Sequence, residues 1–161
     1  MAIALGAMNA TIRQAEERDL PRILALYQQL SLSGDTDAPE DYRRLVPAFR
    51  RIGDDPQQRL LVLEVDGAVM GSLVLIIVPN LSHHGMSWAE VENVVVDESL
   101  RGGGYGRVLM EHAERLAVEA GCYKLQLMSH WDRKDEAHRF YEKLGYQSSA
   151  RAFRKYFKGS G

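Results

Sequence analysis

Cysteine is almost missing from this chain. Cys122 is the only one in 161 residues, so no intramolecular disulfide can form. That excludes the disulfide-stapled secreted scaffolds and points to a reducing compartment. An excess of charge of one sign is missing too. Twenty Lys and Arg stand against 22 Asp and Glu, a formal net charge of -2, and the signs are interspersed. Such a balance argues against a general nucleic-acid surface. The apolar stretch 1–8 is too short to span a bilayer and has no positively charged region, so residues 1–10 read as a loose leader rather than a signal. Residues 158–161 read as a frayed end. No internal repeat, low-complexity tract or linker interrupts the rest. The expectation is a cytoplasmic protein with one domain over residues 11–157, in which 45% apolar residues suffice for a single core.

The pattern within that span alternates between strand and helix signals. Thr11 to Ala15 reads as a short strand. Asp19 is placed to N-cap a helix with Pro21 in its first turn and Leu20, Ile23, Leu24, Tyr27 and Leu30 at helical spacing. A second helix is expected from Pro39 to Ile52, ending at Gly53, with Arg43, Arg44, Arg50 and Arg51 on a solvated face. Arg59 to Val65 and Ala68 to Val78 are β-branched runs joined by Asp66-Gly67, a two-residue hairpin signal. Trp88 to Val96 reads as a strand and Gly104 to Ala120 as a helix buried through Leu109, Ala113, Leu116 and Ala117. Lys124 to Met128 follows as a strand, Glu136 to Leu144 as a helix closed by Gly145, and Tyr146 to Phe157 as one or two last strands. The order predicts an α/β (α+β) fold with a mixed, mostly antiparallel sheet and helices on both faces.

One stretch carries more chemistry than the others. Val94 to Arg107 runs from apolar strand through Gly102, Gly103, Gly104 and Gly106 into a helix. A loop almost free of Cβ atoms lets backbone N–H groups approach a ligand, and the following helix adds free N–H groups and its positive dipole end, which suits a phosphate. The dinucleotide fingerprint does not fit, because Asp97 to Leu100 separate strand from glycines and no acid ends the next strand. The phosphate-loop pattern fails for want of a closing Gly-Lys-Ser/Thr.

Arg101-Gly102-Gly103-Gly104-Tyr105-Gly106 resembles the Arg/Gln-x-x-Gly-x-Gly/Ala loop of the GNAT superfamily of N-acetyltransferases. Downstream, Ala137-His138-Arg139-Phe140-Tyr141-Glu142-Lys143-Leu144-Gly145-Tyr146 is similar to that family's A-x-x-F-Y-x-x-x-G-F/Y signature. The stretch Ser129 to Tyr141 resembles aminoalkylphosphonate N-acetyltransferases, and Gly121 to Lys124 with Phe140 to Lys143 resembles glucosamine-6-phosphate N-acetyltransferases. The resemblance implies acetyl transfer from acetyl-CoA to the primary amine of a small metabolite. It implies that Arg101, Gly102, Gly103, Gly104, Tyr105, Gly106 and Arg107 hold the pyrophosphate, that the pantetheine arm lies along Val94, Val95 and Val96, and that Lys134, Ala137 and Tyr141 complete the cofactor site. Lys134 stands where many members have Asn, and a lysine cannot make the same amide contacts. A homodimer that exchanges Arg151 to Phe157 is implied as well.

An alkylamine with pKa near 10.4 costs about 4–5 kcal/mol to deprotonate at pH 7, so a carboxylate or a water it orders is needed. Glu90 and Glu92 share strand parity and, without a bulge, project to the same face as Val94 and Val96. The resemblance to the phosphonate enzymes puts the base at Glu90. Tyr141 is the expected hydrogen-bond donor to the leaving thiolate, although full transfer from a phenol at about 10 to a thiolate near 8.5 is uphill by about 2 kcal/mol. His83 and His84 read as a polar loop tip without the further ligands a metal needs, and Cys122 as a structural thiol. His130 and Trp131 could wall the acceptor. Two other readings share these residues: an acetyltransferase acting on a peptide or lysine acceptor, and a non-catalytic acyl-CoA sensor, against which the Tyr141 motif argues because a sensor needs no acid.

Overall fold

Asp66 and Gly67 adopt left-handed φ values of 48° and 83°. Those values make the tight turn whose twist matches that of two antiparallel strands. The turn joins β3 (Gln58–Val65) to β4 (Ala68–Val78). A computed structural model describes residues 2–5, 8–31, 36–130 and 137–157. In it this hairpin is the centre of a six-stranded sheet whose spatial order follows the chain: β1 (Ala2–Leu5), β2 (Met8–Gln14), β3, β4, β5 (Trp88–Val96) and β6 (Leu125–Leu127). β1 to β5 pair antiparallel. Between β5 and β6 the bonds Tyr123 N–H to Ser87 O (3.0 Å) and Ala89 N–H to Lys124 O (2.9 Å) advance in the same direction along both chains, so this join is parallel and the sheet is mixed.

The two faces follow from strand parity. Leu60, Val62, Val74 and Val95 share one face with Ala15 and pack with Ile23 and Leu26 of α1 (Leu20–Leu30) and Phe49 and Ile52 of α2 (Val46–Asp54). Alternation sends Leu61, Leu63, Leu73, Leu75 and Val91 to the opposite face, where α3 (Tyr105–Glu119) meets β4 and β5 with Leu109, Met110 and Ala113. Leu63, Leu73, Leu75, Leu109 and Met110 are fully buried. Among the described residues no helix is long and apolar enough to cross a membrane.

Four local expectations turn out differently. Residues 2–5, expected in a loose leader, pair with β2 from Met8 to Thr11, which satisfies backbone groups that β2 would otherwise leave open at the sheet edge. The single helix expected from Pro39 is divided into a 3₁₀ segment, Pro39–Leu45, and α2. Pro47 explains the division, since it lacks the N–H that a continuous α-helix would donate to Arg43. Asp19 precedes α1 but makes no capping bond there; its carboxylate takes Arg13 at 2.7 and 3.1 Å and the Glu16 N–H at 2.8 Å. Last, residues 147–157 hold no strand among the described residues. A strand exists only through a partner's hydrogen bonds, and Phe153, Tyr156 and Phe157 are exposed.

The segment from Leu127 onward carries α4 (Arg139–Lys143), preceded by a π-type turn at 137–138. Gly145 closes it at φ 94°, and Tyr146 N–H bonds to Tyr141 O at 3.0 Å. The Tyr141 ring is held edge-on between Phe140 (5.1 Å between centroids) and Tyr146 (6.0 Å). Trp131 and Lys134, two of the expected site residues, lie outside the described residues.

Candidate active site

The condition attached to the parity of Glu90 and Glu92 is not met, because β5 contains a bulge. Val74 pairs with Glu92 and Ser72 with Val95, so Asn93 and Val94 together oppose the single residue Leu73. Asn93 sits at φ 53°, a left-handed conformation that asparagine tolerates better than most residues. The extra residue reverses the parity beyond it. Glu90 and Glu92, opposite Ile76 and Val74, therefore face the same side as Val95, the side of α1 and α2. Val96 pairs with Gly71 and faces the other way. The bulge takes Asn93 and Val94 out of the regular ladder, at the start of Val94 to Val96, the run expected to meet the cofactor.

Tyr27 of α1 reaches the bulge. Burial raises its phenol pKa, and the polar side chains of Ser72 and Asn93 oppose that rise. The Ser72 hydroxyl is fully buried and completes no hydrogen bond among the described residues. Tyr27 was legible only as a core position of an amphipathic helix; its polar end pointed nowhere in the sequence.

Past the bulge, β5 ends at Asp97, and a 3₁₀ turn, Glu98–Leu100, leads to the glycines. Gly102 and Gly104 have φ values of 80° and 84°, which any side chain would strain. At Gly103 the reason is space: a Cβ would lie 3.0 Å from the Tyr105 ring and 3.2 Å from the Leu100 carbonyl oxygen. Tyr105, expected on the ligand, is buried beneath the loop, and Arg101 and Arg107 are exposed. Gly104 is the N-cap of α3 and offers no side chain to its first turn. The loop thus presents backbone amides and a helix dipole to solvent with nothing from the N-cap competing for them, which fits an incoming pyrophosphate.

The Asp97 carboxyl is held well below the usual carboxylate range, first by the Ser99 hydroxyl and then by Gln29, with Arg22 adding to both against the effect of burial. A folded-state pKa below the unfolded one means stabilisation that is present at neutral pH and disappears as pH drops below about 4. Asp97→Asn removes that contribution. The gap in melting temperature between wild type and variant should be widest at neutral pH and narrow steadily toward pH 3; a gap independent of pH would show that this carboxylate does not contribute to acid unfolding.

A cavity of about 480 Å³ beside α2 is lined by Ala15, Phe49, Ile52, Pro56 and Leu60 among others, and by none of the expected site residues. It belongs to the α2 side of β2 and β3. His83 stacks on Tyr123 at 4.1 Å, which accounts for that histidine as a loop anchor.

A bulge in β5 thus precedes a glycine loop and a helix without a side-chain N-cap, and the Acetyltransferase (GNAT) family model matches residues 20–146. The chain belongs to the GNAT acetyltransferase family. Its similarity to individual members extends over nearly the whole length. It is 31% identical to glucosamine 6-phosphate N-acetyltransferase of Trypanosoma brucei brucei over 151 residues, 91% of this chain and 95% of that one. It is also 31% identical to aminoalkylphosphonate N-acetyltransferase of Salmonella typhimurium, over 89% of each chain. The crystal structure of a transcriptional regulator from Bacillus halodurans superposes with a TM-score of 0.82 at 30% identity, covering 92% of this chain and 99% of that one. The chain is a GNAT-fold acetyltransferase.

Proposed function

We propose that this acetyltransferase moves the acetyl group of acetyl-CoA onto the primary amine of a small metabolite bearing a phosphate or phosphonate. The observation that carries the donor half is the continuity of the bulge in β5 with the glycine loop and the first turn of α3: one stretch of backbone provides a strand irregularity for the thioester end and an anion cradle for the pyrophosphate end. The acceptor half rests on the two relatives named for an amino sugar phosphate and for aminoalkylphosphonates.

Bound in this way, the donor supplies an activated carbonyl and a thiolate leaving group. The amide of Val94, at the bulge, is the donor best placed to stabilise negative charge on the carbonyl oxygen as the amine nitrogen attacks the carbonyl carbon. Glu90 or Glu92, both half-buried on the α1 side of β5, takes the proton released from the attacking amine, directly or through a water. The carbon–sulfur bond breaks, and Tyr141, assigned to this site by the family motif, donates a hydrogen bond to the departing sulfur. Exchange of 151–157 with a second copy belongs to the same proposal, supported by the exposed Phe153, Tyr156 and Phe157.

Free thiol is expected to appear from acetyl-CoA when glucosamine 6-phosphate or an aminoalkylphosphonate is supplied, and to appear more slowly with polyamines or peptides. A faster rate with peptides would replace the metabolite reading by a protein acceptor. Tight binding of acetyl-CoA without turnover on any amine would favour a regulatory role, such as the name of the Bacillus halodurans protein describes.

A further inference from the structure

Two side chains on α1 reach the segment that leads into the glycine loop. Arg22 and Gln29 are seven residues apart and so lie on one face of the helix. Gln29 uses both ends of its amide there. Its Nε2 donates to Asp97 Oδ2 at 3.0 Å, and its Oε1 accepts the Glu98 N–H at 3.0 Å. Arg22 donates through Nη2 to the same Asp97 oxygen and through Nε to the Val69 carbonyl at 2.9 Å, which ties the loop's base to the start of β4. On the other side, Asp97 Oδ1 accepts the Ser99 N–H at 3.0 Å and the Ser99 hydroxyl. Four donors on one carboxylate nearly exhaust its lone pairs, and the residue is 7% exposed.

What this anchored carboxylate carries is the loop. Leu100 N–H bonds to Asp97 O at 2.9 Å, Arg101 N–H to Glu98 O at 3.3 Å, and Gly103 N–H to Leu100 O at 3.2 Å. These overlapping turns pass the position of Asp97 on to Gly103, whose backbone sits against the Tyr105 ring. The glycines cannot hold their own conformation, because glycine is the residue with most freedom to lose. The fixed geometry therefore has to come from a neighbour, and Asp97 is the side chain that connects the loop to a helix.

We propose that Asp97, with Gln29 and Arg22, positions the glycine loop for the pyrophosphate of acetyl-CoA, so that α1 sets donor affinity without touching the donor. This rests on the acetyl-CoA reading above. The three are positioning residues: they act through the loop backbone, and the chemistry at Tyr141 and the β5 glutamates proceeds without them.

The test compares Gln29→Met, which keeps length and volume but removes both hydrogen bonds, with Arg13→Met. Arg13 lies on β2, three strands from β5, and its loss breaks a larger set of contacts remote from the loop, among them those to Asp19 at 2.7 Å and Glu64 at 2.8 Å. Calorimetric titration with coenzyme A, thermal unfolding and steady-state kinetics are measured on wild type and both variants. Gln29→Met is expected to weaken coenzyme A binding and raise KM for acetyl-CoA about tenfold, the scale of two hydrogen bonds, with kcat changed less than about twofold. Arg13→Met should lower the melting temperature at least as much and leave coenzyme A affinity alone. Equal losses of affinity in both variants, or unchanged affinity in Gln29→Met, would overturn the positioning role. Failure of the wild type itself to bind coenzyme A would overturn the donor reading, and this inference with it.

Discussion

Tyr141→Phe is expected to lower kcat by about 10²-fold while coenzyme A affinity stays within about threefold. The substitution removes one hydroxyl and keeps the ring, so its edge contacts with Phe140 and Tyr146 survive and α4 stays folded. What disappears, on the proposed mechanism, is the hydrogen bond to the departing thiolate. That interaction strengthens as the carbon–sulfur bond breaks, so its loss falls on kcat rather than on ground-state binding. Because transfer from an unperturbed phenol to a thiolate is uphill by about 2 kcal/mol, the effect should be smaller than loss of an acid whose pKa matches its task. Acyl donors with better thiol leaving groups should show a smaller deficit. Steady-state thiol release and calorimetric titration measure the two quantities, and an unchanged kcat would remove Tyr141 from the mechanism.

Leu73→Ala is expected to cost about 2–5 kcal/mol of folding stability. Leu73 is fully buried on the α3 side of β4, and it is the residue that faces both Asn93 and Val94 across the bulge. Truncation leaves a void between three elements, β4, β5 and α3, none of which can close it without moving the others. Total stability of a domain is commonly about 5–15 kcal/mol, so the loss is a large share. Urea unfolding should show a lower midpoint with the slope unchanged. A loss below about 1 kcal/mol would mean that the bulge relaxes into the space, and that Leu73 does not hold it in place.

The elements that the sequence made legible are those decided within a few residues. Asp66-Gly67 allows one kind of turn, and the hairpin follows from it whatever lies elsewhere in the chain. Gly121 and Gly145 end their helices with φ values of 74° and 94°, again a local matter. The glycine loop was readable because its composition excludes most other uses. Pro47 was equally visible, yet the arginine-rich pattern around it reads as one helix, and only the missing N–H divides it.

The bulge was not legible, because it is a relation between two strands. Nothing in Glu92-Asn93-Val94-Val95 says that two residues will face one; that depends on how β4 pairs on either side of Leu73. The consequence for function is direct, since the bulge decides which side chains share a face with Glu90 and Glu92. The Asp97 anchor was hidden for a related reason. Gln29 and Arg22 are 68 and 75 residues away from it, and at that separation no periodicity or motif connects them.

By itself, then, the sequence determined the family, most of the strand and helix types and the loop suited to an anion, because glycine content, turn chemistry and motif spacing are properties of contiguous residues. Tertiary structure alone decided the parity of β5 beyond Asn93, the burial of Tyr27 against it, and the attachment of the loop to α1. Each of these depends on which backbone groups find partners across the sheet, and that is fixed only when the strands have paired and the helix has closed over them.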